Sequence, residues 1–156
     1  MSTESTARTG ATTSQENWVA AAIAGIVGTI ALGGLQMALG SAETIAGAFP
    51  ALYTLGPSLA IGWAVHLFHG AVLGVVFAAL VSRPPLGGYV DGIGATLGAG
   101  VVTTVALAWV LLPIWLRVVG FPQAPPLPNV GMSSLVGHLV YGVVLAGVYA
   151  GLSDRL

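Results

Sequence analysis

Residues 62–80 read GWAVHLFHGAVLGVVFAAL, a run of 19 residues without a formal charge. As a helix rising about 1.5 Å per residue, such a run nearly crosses the ~30 Å hydrocarbon layer of a bilayer. It nevertheless carries two histidines, His66 and His69. From Ser58 through Gly62, His66, Gly70 and Gly74 to Ala78, every fourth residue is either small or a histidine. That spacing places them on one stripe of the helix, and small residues so spaced let helix backbones approach closely in lipid.

A near-copy follows 72 positions later, at residues 134–152, SLVGHLVYGVVLAGVYAGL. In that register His66 falls on His138, Gly70 on Gly142, Leu73 on Leu145 and Leu80 on Leu152, and Phe49-Pro50 falls on Phe121-Pro122. His69 falls on Tyr141, so its role is not symmetric. Ser134, His138, Gly142, Ala146 and Ala150 form the matching stripe. At an offset of 75, Ala24–Leu32 (AGIVGTIAL) falls on Ala99–Leu107 (AGVVTTVAL). The shared order of these blocks points to duplication of a two-helix hairpin.

Composition sets the solvent. Of 156 residues, 56% are hydrophobic and 6% charged, against roughly a quarter charged in an ordinary soluble domain. The nine formal charges (Glu4, Arg8, Glu16, Glu43, Arg83, Asp91, Arg117, Asp154 and Arg155) leave long uncharged runs between them. So little charge cannot keep a domain of this size dissolved, so the chain reads as an integral membrane protein. A net charge of −1 offers no basic footprint for nucleic acid. Without cysteine there is no disulfide, thiolate site or thiol nucleophile.

The predicted architecture is all-α: a four-helix transmembrane bundle built from a parallel tandem repeat of a two-helix hairpin. Residues 1–17 read as a disordered polar tail. The first hairpin repeat occupies 18–81, with spans at about 18–40 and 58–81. The second occupies 91–152, with spans at about 91–116 and 131–152. Residues 41–57, punctuated by Pro50 and Pro57, suggest an interfacial helix or short re-entrant segment. SRPPLGG after the second span is a turn. Pro113 should kink the third span near its end. The four prolines of RVVGFPQAPPLPN, residues 117–129, predict a stiff extended lid. Arg8, Arg83 and Arg155 on one side against Arg117 on the other place both termini in the cytoplasm of a cell-membrane, multi-pass protein. The small-residue stripes should face the bundle interior, where they can meet each other.

The histidines are the candidate site. A charged imidazolium is costly within hydrocarbon, so they read as neutral imidazoles able to ligate metal or to hydrogen-bond. His66 and His138, one from each repeat at equal depth, have the arrangement that holds a b-type haem between facing helices. His69, one turn from His66, can take a propionate or a separate role. A quinone, copper or a proton path are further cofactor or transport roles for such residues. The plainer reading makes the histidines interhelical hydrogen-bonders in a packed core, worth about 1 kcal/mol each. With three histidines and no cysteine, a metal site supplied by protein alone lacks ligands. No acidic residue lies within a span, and Gln36 is matched by Leu111 in the repeat.

Two cores, His66-x-x-His69-Gly70 and Gly137-His138-Leu139-x-Tyr141-Gly142, resemble those of small four-span membrane proteins of haloarchaea, some of which carry a histidine-kinase label. The resemblance covers most of residues 18–152 and implies a membrane location and a four-helix fold. It brings no activity with it. Asp91-Gly92-Ile93-Gly94 looks like the glycine box of kinase ATP-binding domains, but it opens an apolar helix with no soluble domain around it, so packing explains the glycines better.

Function is therefore expected to be non-enzymatic, with no catalytic residue assigned: an accessory membrane subunit of a respiratory or redox complex, with a haem or quinone site at His66 and His138. Its partners are the lipid bilayer and a larger membrane complex or further copies of the chain. The alternative is a small transporter or channel with a path between the repeats.

Overall fold

A computed structural model describes residues 13–83, 93–153 and 155–156. All its regular structure is helical, and no strand occurs among the described residues. α1 spans Thr13–Ala38. A π-helical turn at Thr44–Ala48 runs into the short α2, Phe49–Ala51. α3 spans Leu59–Val81. α4, Ile93–Ala106, continues through a second π-helical turn, Leu107–Leu111, into α5, Leu112–Val118. α6 spans Met132–Leu152. α1 starts inside the stretch expected to be tail. The rest of that tail (1–12), most of the SRPPLGG turn and Asp91 lie outside the described residues.

Three helices, at Trp18–Ala38, Leu59–Val81 and Met132–Leu152, are long and apolar enough to cross a membrane. Their outward residues are those that water would reject and lipid accepts. Leu59, Phe68, Val72 and Val76 on α3, and Val136 and Val143 on α6, are all exposed. The predicted third span is helical from Ile93 to Val118, broken in regularity by its π turn.

Tight glycine crossings decide how the helices pair. A Cβ on Gly25 would strike the Gly70 carbonyl oxygen, and one on Gly74 the Ala21 carbonyl oxygen, so α1 and α3 touch backbone to backbone. A Cβ on Gly142 would lie 2.7 Å from Val101 Cα, and one on Gly100 would lie 2.7 Å from the Gly142 oxygen, so α4 and α6 do the same. Each small-residue stripe thus faces its own hairpin partner rather than the other stripe. α1 also packs closely on α6, whereas α3 and α4 barely meet. Below the crossings Ala20, Ala24, Phe77, Leu145, Ala146 and Tyr149 fill the interior, with the Phe77 and Tyr149 rings edge to face at 5.6 Å.

Proline explains both π turns and the connections that follow. Pro50 and Pro113 have no N–H to offer the carbonyls four residues back, those of Ala46 and Trp109. Each orphaned carbonyl is taken by the connection downstream: Ser58 N–H donates to Ala46 O at 2.8 Å, and Asn129 N–H to Trp109 O at 3.1 Å. The two connections are folded back over the same end of the molecule by these bonds. Arg117 Nη2 adds a donation to the Pro125 carbonyl at 3.2 Å.

Both connections begin with the same helix stop. Ser41 N–H donates to Gln36 O and Gly40 N–H to Met37 O, and Phe121 and Gly120 repeat the pattern on Leu116 and Arg117. This is the Schellman arrangement, with glycine in the left-handed region, at φ 76° for Gly40 and 73° for Gly120. Gly120→Ala meets no atom within 4 Å, so its cost is backbone strain alone, about 1–2 kcal/mol. Gly34→Ala, equally unobstructed but inside α1, should instead stabilise by roughly 0.5–1 kcal/mol. Thermal unfolding in detergent should show the two shifts with opposite signs.

Candidate functional site

α1 and α5 end, and α3 and α6 begin, beneath the two folded-back connections. Here the helices are no longer held together by the glycine crossings, and a cavity of about 800 Å³ opens. That is within the roughly 300–1,000 Å³ of small-molecule sites. All three candidate histidines line it, together with Gln36 and Tyr141. Gly70, blocked by Thr29 and Gly25, borders the cavity that His66 lines one turn away.

His66 stands between two close approaches of α3. At Gly62 the helix touches the Ile45 carbonyl, and at Gly70 it touches Thr29 and Gly25. Its ring stacks on Phe49, with centroids 4.3 Å apart, and meets the edge of Trp63 at 5.9 Å. The residue is only 5% exposed, yet its Nε2 is buried without a hydrogen-bond partner. Buried polar atoms are nearly always partnered, so this nitrogen is an exception, one it shares with the buried indole Nε1 of Trp109.

His138 reaches the same cavity with its tautomer decided. Nδ1 lies 2.5 Å from the Ser134 carbonyl oxygen and 3.2 Å from Ser134 Oγ. A carbonyl can only accept, so Nδ1 carries the proton, and in the neutral ring Nε2 keeps a lone pair. The same contact orients histidines that bind metals. It equally prepares the ring to accept a hydrogen bond from a ligand.

His69 differs from both. Its Nε2 is 2.8 Å from Tyr53 Oη, and Tyr53 is exposed, so this imidazole is linked to the outer end of the cavity. Gln36 Oε1 is a further buried acceptor without a partner. Tyr141 Oη is committed elsewhere, donating to the Gly70 carbonyl at 3.2 Å. The repeat partners Gln36 and Leu111 both line the cavity. Among the described residues no group of three or more His, Asp or Glu gathers as a metal site.

The Phe-Pro correspondence is not carried into three dimensions. Phe49 lies in α2 against His66, while Phe121 packs in the cap cluster of Ile45, Ala48, Phe49, Leu52 and Leu116. Trp115 fastens that cap by donating from Nε1 to the Leu52 carbonyl at 2.9 Å. Phe49, Tyr53 and Trp115 as site residues had no signal in the sequence. The Ser134–His138 pair had one, a spacing of four.

Comparison with protein-family models, curated proteins and solved structures finds no match to this chain.

Proposed function

We propose that this chain is a non-enzymatic, four-span membrane protein that holds one lipophilic redox cofactor in the capped cavity, as an accessory subunit of a redox complex. The observation that carries the reading is a cavity of about 800 Å³ lined together by His66, His69 and the preset His138, with the buried Nε2 of His66 left without a protein partner beside it. A merely structural histidine would engage that nitrogen in a hydrogen bond.

The tandem-repeat architecture belongs to the same proposal. Gly25 and Gly100 correspond at the offset of 75, and Gly70 and Gly142 at 72. These same four glycines make the two hairpin crossings. Four spans leave both termini on one side, the cytoplasmic side by arginine placement, so the cavity lies in the outer half of the membrane. The transporter alternative needs a path onward from the cavity. The packed aromatic and alanine core below the crossings is its obstacle.

The test is to purify the protein in mild detergent from membranes replete in haem and quinone and to look for what it carries. The oxidised and dithionite-reduced visible spectra report haem, and the ultraviolet redox difference spectrum of an organic extract reports quinone. Stoichiometric recovery of either one, lost in both His66→Ala and His138→Ala, is the expected result. Protein that carries neither, and takes up neither when it is supplied, ends the proposal.

A further inference from the structure

The charge of the cavity narrows what it can hold. Among the residues that line it, Glu43 alone carries a formal charge. Glu43 stands at the capped end, just before the first π-helical turn, and is exposed there. No arginine lines the cavity, and the chain has no lysine. Arg117 belongs to the cap without entering the lining, while Arg83 and Arg155 follow the far ends of α3 and α6. The three imidazoles read as neutral within hydrocarbon. An anionic head placed here meets a like charge and no counter-charge, and repulsion beside a protein surface is several times stronger than in bulk water. Haem brings two carboxylates with it, so it is the redox cofactor this lining suits least.

Uncharged polar groups, by contrast, are plentiful and of both kinds. Gln123, Asn129, Ser133 and Ser134 line the cavity from the cap and the start of α6. Their amides and hydroxyls can donate as well as accept, so they serve a carbonyl and a hydroxyl equally. Phe49, Tyr53 and Trp115 add aromatic walls, against which a flat ring packs well. Toward the middle of the helices the lining turns apolar, with Leu32 and Leu73. A head that is polar, flat and uncharged, on an apolar tail, matches each part.

We infer that the cofactor is a quinone, held in either redox form, and that Glu43 is the residue that keeps acid-headed ligands out. The inference rests on the cofactor-holding reading and selects one class within it.

Two measurements test it. Protein purified in mild detergent from membranes replete in haem and quinone should carry quinone and no haem. The second measurement compares two probes that differ only at the head: a decyl-methyl-naphthoquinone, which is neutral, and a decyl-hydroxy-naphthoquinone, whose hydroxyl is ionised above neutral pH. Each is added to protein in nanodiscs of uncharged lipid. Trp115 lines the cavity, so quenching of tryptophan fluorescence reports binding. Comparing parent with variant cancels the partition of each probe into lipid. Glu43→Gln should strengthen the anion about fivefold and leave the neutral probe unchanged. Added salt should do the same for the parent and nothing for Glu43→Gln. Anion binding that Glu43→Gln leaves unchanged overturns the inference. So does haem in the purified protein, a result that leaves the cofactor-holding reading standing. Protein that carries neither cofactor, takes up no haem and binds neither probe defeats both.

Discussion

His66→Phe is expected to make the ligand-free protein more stable and, at the same time, unable to bind the proposed cofactor. The substitution keeps a flat ring against Phe49, which already stacks on the imidazole, and it removes the buried Nε2 that has no partner. An unsatisfied buried polar atom costs about 1–3 kcal/mol, and replacing it with an apolar group of similar shape recovers part of that. The melting temperature in detergent should therefore rise, while bound cofactor should fall at least about tenfold. The two readouts together separate function from packing. Were His66 a structural hydrogen-bonder, the same change would lower stability, and the inference from its unpartnered nitrogen would fail. His138→Phe serves as the contrast. It deletes a ring that already donates to the Ser134 carbonyl, so binding should be lost with no gain in stability.

The second large effect belongs to the crossings. Gly25→Ala drives a methyl into the Gly70 carbonyl, and Gly142→Ala drives one into the backbone at Val101. Neither obstacle is a side chain that can swing away, so the helices themselves must part. Overpacking of this kind costs typically about 1–3 kcal/mol, and each hairpin is held at its crossing. Both variants should melt earlier than the parent in detergent. Gly147→Ala, on the same helix as Gly142 but with nothing within 4 Å, should be tolerated and slightly stabilising, as Gly34→Ala is. Equal tolerance at Gly142 and Gly147 would show that the crossing is looser than backbone contact. The cavity ligand is expected to be lost along with the crossings, since His66 and His138 each sit one turn beyond them.

Those crossing glycines show how far the sequence reaches. Long uncharged helices, their lipid-facing residues and the four-residue stripes of small side chains are properties of single segments. They follow from hydropathy and from about 3.6 residues per turn, so the chain displays them without reference to its neighbours in space. The stripes even carry the correct contact residues, Gly70, Gly74 and Gly142. What they cannot say is which helix each stripe meets, because a glycine ridge fits any close neighbour.

The candidate site is legible in the sequence by its residue types and not by its space. His66 and His138 stand out because a polar ring is costly in lipid. On a single helix, however, a histidine that packs and one that waits for a ligand look the same. Three tertiary facts separate them. His66 lines a cavity between two close approaches of α3, at Gly62 against Ile45 and at Gly70 against Thr29. Pro50 and Pro113 orphan two carbonyls, and Ser58 and Asn129 answer them from the connections downstream, which folds both connections into a cap. Hydrogen bonds then assign the three imidazoles different states: His69 to Tyr53, His138 to Ser134, and His66 to no partner. The sequence by itself determined the solvent, the helices and the faces they would bury. Only the tertiary structure decided where a cavity lies and which nitrogen in it is unpartnered, because those depend on distances between segments that no local pattern contains.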